Sequence, residues 1–177
     1  MTKAVWQVDK SHSALEFTVK HMMISKVRGA FKNFDATVEA DPNDLTDAKI
    51  EFSVELNSID TRNEDRDNHL RSNDFFDIAN HPKMTFVATD IKKKSDDNYA
   101  VTGDFTLRGV TKPVTFDVTV EGVGKDPWGN EVAGFSGSTK LNRKDFGLVW
   151  NAALETGGVL VGEEVKINIE LEAHKQA

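Results

Sequence analysis

The side chains that could do chemistry in this chain are few, and none of them falls in a catalytic or metal-binding spacing. The histidines are His12, His21, His69, His81 and His174. No two of them have the H-x-x-x-H spacing that places two ligands on one helix face, and no cysteine is present to complete a zinc site. We therefore predict no metal centre from local motifs, whereas a histidine–carboxylate site assembled from separate elements stays open.

Nucleophilic and phosphate-binding motifs are also missing. Residues 134–138 (GFSGS) differ from the G-x-S-x-G nucleophile elbow because the last glycine is displaced and the segment has the pattern of a strand. Neither the phosphate loop nor the dinucleotide fingerprint occurs. Asp65 and His69 are four residues apart on a predicted helix, which more often gives a surface contact than a catalytic pair. We predict that the protein is not an enzyme and uses no cofactor.

Composition narrows the choice of partners. The chain has 177 residues, with 22 basic and 29 acidic side chains and a net charge of −7. Nucleic-acid binding depends on a basic surface, so we expect no nucleic-acid partner and at most a transient contact with a membrane. The absence of cysteine excludes disulfides and thiol catalysis. The first residues contain no apolar run of signal-peptide length, so we expect a cytoplasmic location, or a periplasmic or extracellular one if a leader was removed.

Apolar and polar residues alternate with period two along much of the chain, as in residues 15–19 and 114–120. Such alternation is typical of antiparallel strands with one solvated face. Phe31 and Phe34 are three residues apart, which predicts a bulge at residues 32–33. The predicted strands span residues 4–9, 13–20, 28–40, 47–59, 83–94, 98–107, 113–124, 132–141 and 163–173. Because several are long, we predict a single all-β barrel domain over residues 1–177 rather than a sandwich.

Three segments interrupt this pattern. Thr61 and Glu64 have the spacing of a capping box, in which Thr61 would cap a helix over residues 62–72. A shorter helix is predicted across residues 21–26, and residues 142–147 have the composition of a turn.

The interior of such a barrel can be full or hollow. Eleven phenylalanines are spread over almost every predicted element, and small barrels either fill their interior with side chains or enclose one small ligand. Composition leaves both alternatives open.

Several longer motifs occur in order along the chain. They are W-x-x-D-x-x-H-S at residues 6–13, R-D-x-H-L-R-S-x-D-F-F-D at 66–77, H-P-x-M-x-F at 81–86, G-D-F-T-L-x-G-V-T-K-P-V at 103–114 and R-x-D-F-G at 143–147. Together these motifs extend over nearly the whole chain, and in this order they resemble the YceI-like family of polyisoprenoid-binding proteins.

The resemblance implies an eight-stranded antiparallel lipocalin-like barrel with one or two short helices. Its apolar tunnel would hold an isoprenoid chain, such as the tail of an isoprenoid quinone or another polyprenyl compound. The resemblance also suggests a homodimer that acts in isoprenoid storage, transport or sequestration. Strand parity and the motifs together select the expected wall of the tunnel: Phe17, Val19, Met22, Met23, Phe31, Phe34, Phe75, Phe76, Phe86, Phe105, Phe135 and Phe146. Arg66, Asp67 and His69 would either contact the headgroup or gate, or anchor the helix over the barrel.

Two other functions remain as alternatives. The first is a lipid-processing enzyme that uses Arg66, Asp67, His69 or His12, which requires at least two of these groups to converge inside the cavity. The second is a solid barrel that serves as a stress or protein-interaction module, which requires a filled interior.

Overall fold

The computed structural model describes residues 3–152, 154 and 160–176, and their alternating pattern folds almost entirely into strands. Within these residues there are eleven strands: β1 (Ala4–Val8), β2 (Ala14–His21), β3 (Ser25–Phe31), β4 (Phe34–Asp41), β5 (Asp44–Glu55), β6 (Ile59–Asp60), β7 (Lys83–Lys93), β8 (Asn98–Leu107), β9 (Val110–Lys125), β10 (Glu131–Asn142) and β11 (Val161–Lys175). One α-helix, α1 (Glu64–Arg71), follows β6, and short 3-10 turns occupy Lys10–His12, Leu56–Ser58 and Arg143–Phe146. In the described part of the chain, no helix is long and apolar enough to cross a bilayer.

The eleven strands form eight barrel strands, because the first three barrel strands are each broken once. β1 and β2 are halves of one path interrupted by the 3-10 turn Lys10–His12, and β3 and β4 are separated by residues 32–33, where a bulge is predicted. β5 and β6 are likewise halves of one path, interrupted by Leu56–Ser58. Neighbouring barrel strands are antiparallel throughout.

Strand β11 closes the barrel. It pairs along its length with β10, while its first part pairs with β2 (Ile167 opposite Phe17) and its last part with β1 (Ala173 opposite Val8). No sheet edge is then left between the first and last barrel strands. The predicted eight-stranded antiparallel barrel is confirmed.

The antiparallel order gives the barrel two distinct ends. At the Trp6 end, buried side chains fill the space between the strands, and the Trp6 Nε1–H donates to the Ala40 carbonyl at 3.1 Å. Leu45, Tyr99 and Ala173 are fully buried at this end. At the helix end lie α1, the segment 72–78 that follows it and the 3-10 turn Arg143–Phe146.

The helix predicted across residues 21–26 is wrong. This segment is the turn of the β2–β3 hairpin, in which His21 pairs with Ser25. Met22 and Met23 have positive φ angles of 53° and 63°, which reverse the chain and are incompatible with a right-handed helix. Pairing between β2 and β3 therefore outweighs the local helical preference of the methionines.

The α1 helix exists, but the predicted capping box is wrong. The N-cap is Asn63, whose side chain accepts a hydrogen bond from the Arg66 amide at 3.0 Å. The Thr61 hydroxyl donates instead to the buried carboxylate of Asp67. With a φ angle of 66°, Arg62 turns the chain between Thr61 and the helix. The turn predicted at residues 142–147 corresponds to the 3-10 turn and Gly147.

The close contact between β8 and β7 at Gly103 predicts that substituting this glycine strongly lowers the stability of the fold. A Cβ at this position would lie 2.4 Å from the Val87 carbonyl oxygen, so Gly103→Ala should lower the free energy of unfolding by about 1–3 kcal/mol through overpacking. Gly122→Ala is the matched control, because a Cβ there meets no atom within 4 Å. Urea denaturation measures both variants, and equal stability of the two would contradict the close approach.

Candidate functional site: an apolar lumen

The inward-facing side chains leave two cavities in the barrel. The cavity nearer the Trp6 end has a volume of about 70 Å³, and the cavity nearer the helix end has a volume of about 90 Å³. Both walls are almost entirely apolar. A single water requires roughly 10–15 Å³ of such space and two or more polar partners. These cavities therefore have room for small apolar molecules, but their walls offer few hydrogen-bond partners for water.

Leu15 lies between the two cavities and contributes to the wall of both. Its side chain is 2% exposed and projects inward from β2. Neither cavity alone has the volume for a long hydrocarbon chain. The two could form one continuous lumen if the Leu15 side chain and its neighbours shifted to other rotamers.

Most of the predicted wall residues surround these cavities. Three of them line the Trp6-end cavity: Phe34, Phe86 and Phe135. Six line the helix-end cavity: Phe17, Val19, Phe31, Phe75, Phe76 and Phe146. The parity of the strands accounts for the six of these residues that lie on strands, since alternate residues face the barrel interior. Phe75, Phe76 and Phe146 lie outside the strands and were selected by the motifs instead.

The other three predicted wall residues lie elsewhere. Phe105 is fully buried and packs against Phe52 and Phe146, with ring centroids 6.4 Å and 5.5 Å away. Met22 and Met23 are 42% and 58% exposed on the β2–β3 turn at the helix end. Their flexible apolar side chains therefore face solvent at the helix end of the barrel.

Arg66 and Asp67 are both bound to Thr61. The Asp67 Oδ1 accepts from the Thr61 amide at 2.9 Å and from its hydroxyl at 2.5 Å. The Arg66 Nε donates to the Thr61 hydroxyl oxygen at 2.8 Å, and its Nη2 donates to the Thr61 carbonyl at 2.6 Å. These bonds attach the first turn of α1 to the end of β6, and neither side chain lines either of the two lumen cavities.

His69 lies at the rim of the helix end. Its Nε2 is 2.8 Å from the Asp74 Oδ2, and the ring is perpendicular to those of Phe75 and Trp150 at centroid distances of 5.0 Å and 4.7 Å. Because Phe75 lines the helix-end cavity, one aromatic layer separates His69 from the lumen.

The polar groups proposed for catalysis do not meet inside the barrel. Arg66 and Asp67 are engaged with Thr61, and His69 pairs with Asp74. His12 lies on the outer surface of the barrel, where its Nδ1 is 2.9 Å from the Asp9 Oδ2. The convergence that the enzymatic alternative requires is therefore not found.

Arg143 was not among the predicted site residues, yet it is a buried polar residue in the wall of the lumen. It is 4% exposed and lines the helix-end cavity. Its guanidinium donates to the carbonyls of Leu148 (2.6 Å), Trp150 (2.9 Å) and Gly162 (2.8 Å), and burial lowers the pKa of this group. These bonds hold the chain after Gly147 against the start of β11. The R-x-D-F-G motif at 143–147 was the available sequence signal.

Comparison with known proteins supports a shared architecture. The model of the YceI-like domain matches residues 6–173. A UPF0312 protein of Staphylococcus epidermidis is 47% identical over 173 residues, which cover 97% of each chain. A UPF0312 protein of Staphylococcus aureus is 44% identical over 165 residues, which cover 93% of this chain and 94% of the relative.

Solved structures share the same barrel. BcnA of Burkholderia cenocepacia aligns with a TM-score of 0.82 and 28% identity, over 93% of this chain and 98% of that one. The YCEI protein of Campylobacter jejuni aligns with a TM-score of 0.77 and 33% identity, over 89% and 90% of the two chains. A polyisoprenoid binding domain from Saccharophagus degradans has a TM-score of 0.73 over 98% and 99%, and at 13% identity it bears on the fold alone.

The hydrogen bonds between Thr61 and Asp67 predict that Asp67 stabilises the folded protein. Asp67→Ala should lower the free energy of unfolding by about 1–3 kcal/mol, because it leaves the buried Thr61 amide and hydroxyl without an acceptor. Asp65→Ala removes an exposed carboxylate from the same helix and should change stability little. Thermal or chemical unfolding measures both, and a stable Asp67→Ala variant would contradict the anchoring role.

Proposed function

Because this chain belongs to the YceI-like domain family, we propose that it binds a polyisoprenoid lipid in the apolar lumen of its barrel. The single observation that carries the proposal is the pair of apolar cavities inside the barrel, which share Leu15 as a common wall residue. The Saccharophagus degradans domain, which has the same fold, is a polyisoprenoid binding domain. Because the two proteins share this fold, an isoprenoid chain is the apolar guest that we propose for this lumen.

The physical basis of binding would be burial of hydrocarbon. Each Å² of apolar surface removed from water contributes about 25 cal/mol, and the effect needs no directional bond. A polyisoprenoid is flexible and branched, so its chain can follow a lumen whose walls change width from one cavity to the next. The Leu15 side chain would move aside as the isoprenoid chain occupies both cavities.

We propose that the ligand enters at the helix end. There Met22 and Met23 expose flexible apolar side chains, and His69 and Asp74 supply polar groups that can face a headgroup. At the other end the Trp6 side chain is buried and bonded to the Ala40 carbonyl, which disfavours entry from that side. The headgroup would then remain near solvent while the hydrocarbon lies inside.

The narrower parts of the proposal concern the ligand and its use. We propose an isoprenoid quinone or another polyprenyl compound as ligand, held for storage, transport or sequestration by a homodimer without catalysis. Both cavity walls are apolar, and Arg66, Asp67 and His69 are bound to Thr61 and Asp74, which favours a binding protein over an enzyme. Light scattering coupled to size-exclusion chromatography tests the dimer, and a monomer at every protein concentration would remove that part of the proposal.

Recovery of the ligand tests the proposal directly. Purified protein extracted with organic solvent should yield a polyprenyl species by mass spectrometry, close to one molecule per chain. Protein stripped of lipid should take up added geranylgeraniol or a prenylquinone, which raises its Tm. Protein that carries no such lipid and takes up neither probe would contradict the proposal.

A substitution that fills the lumen should separate binding from folding. Ala36 lines the Trp6-end cavity, so Ala36→Phe should occupy its space and weaken prenyl binding at least about tenfold, or about 1.4 kcal/mol. Thr37→Phe places the same ring on the exposed face of the same strand and should bind normally. Competition with a fluorescent lipid measures both, and equal affinities would exclude this cavity as the binding site.

A further inference from the structure

Four metal-ligating side chains come together on the outer surface of the barrel, away from the lumen. Asp9 and His12 belong to the link between β1 and β2, whereas Glu172 and His174 project from β11. The last two are separated by one residue along the strand, so they share its outward face while Ala173 between them is buried. The Asp9 amide donates to the Glu172 carbonyl at 2.7 Å, which fixes the two segments side by side.

Three of the donor atoms lie close enough to share one ion, because those of Asp9, His12 and Glu172 are all within 4.8 Å of one another. His12 Nδ1 is 2.9 Å from the Asp9 Oδ2 and 3.3 Å from the Glu172 Oε2. His174 Nε2 is 3.4 Å from the same Asp9 oxygen, but it lies outside that group of three. Zinc bonds of roughly 2.0–2.2 Å to nitrogen and oxygen place neighbouring tetrahedral ligands about 3.3–3.6 Å apart. A rotamer change of His174 would bring its ring nitrogen to the same ion as the fourth ligand.

Further contacts orient these ligands. The Asp9 Oδ1 accepts from the Ser11 amide at 3.0 Å and from its hydroxyl at 2.6 Å, which leaves Oδ2 turned towards the histidines. The other ring nitrogen of His174 faces the Asp126 Oδ2 at 3.8 Å, an ion-pair distance that would have to shorten to become a hydrogen bond, and Asp126 is itself held by Asn130. A carboxylate behind a ligating histidine is the usual arrangement that fixes its tautomer and ring orientation.

We propose that Asp9, His12, Glu172 and His174 bind one divalent transition-metal ion, with zinc as the preferred ion. Two imidazoles favour zinc and its neighbours in the first transition row over magnesium or calcium, which prefer oxygen ligands alone. Two carboxylates balance the charge of the ion. Four protein ligands leave no open position, so the ion would be structural and would tie the break in the first barrel strand to the end of the last.

The competing explanation is a metal-free ion-pair cluster. A protonated His12 between Asp9 and Glu172 would account for the two short distances, and hydrogen bonding to Asp9 raises the pKa of His12. This explanation predicts no saturable uptake of metal.

Metal titration separates the two explanations. The full chain without an affinity tag, treated with EDTA and then dialysed, should bind one zinc ion per chain by calorimetry, with a higher Tm in the zinc-bound state. Cobalt should give the intense visible absorption of tetrahedral coordination, and zinc should abolish that absorption. Absence of saturable binding, or only the pale spectrum of octahedral cobalt, would overturn the proposed site.

Substitutions of single side chains test which residues bind the metal ion. His12→Ala and His174→Ala should each lower zinc affinity more than tenfold, whereas His21→Ala, which removes a histidine outside the cluster, should leave it unchanged. Asp126→Asn should weaken binding by about tenfold through the orientation of His174. Circular dichroism checks that each variant is folded. If a histidine variant does not fold, Glu172→Gln is measured in its place, because it also removes one proposed ligand. A double His12→Ala/His174→Ala variant with unchanged zinc affinity would refute the assignment.

Discussion

Closure of the barrel through β11 is the constraint on which the rest of the structure depends. This strand pairs with β10 on one side and with both halves of the first barrel strand on the other, so it satisfies backbone groups that would otherwise form two exposed edges. An eight-stranded barrel encloses an interior just wide enough for side chains or for one small guest. The lumen therefore exists only while β11 is in place, and its width follows from the number of strands.

Rigid aromatic packing explains how the lumen stays partly open. Phe52 stacks on Phe86 at 5.2 Å, and Phe116 meets Phe86 edge to face at 5.0 Å. These rings support one another along the wall and have few rotamers available, so they do not collapse into the remaining space. The buried polar groups Arg143 and Asp67 bond to backbone and to Thr61 at the helix end, which leaves the cavity walls apolar.

Alternation along the strands was sufficient to predict the barrel and most of its lining, because parity decides which residues face inward. The helix at residues 21–26 was wrong, and Met22 and Met23 lie on a turn, since hairpin pairing is a tertiary effect that local pattern does not contain. The role of Arg143 depends on carbonyls from two separate segments. The spacing of residues along the sequence could not predict the cluster around Asp9, because Asp9 and His174 meet only through the pairing of the first and last strands.

The position of β11 also has a consequence for biosynthesis. A ribosome releases the amino-terminal strands first, yet the partner that completes their ladder is the last of the eleven strands to be synthesised. Until β11 has been made, the earlier strands lack the partner that closes the barrel, and the apolar side chains that line the lumen cannot be fully enclosed. A hydrocarbon guest could thus be enclosed when β11 pairs with the first barrel strand, without entering a barrel that is already closed.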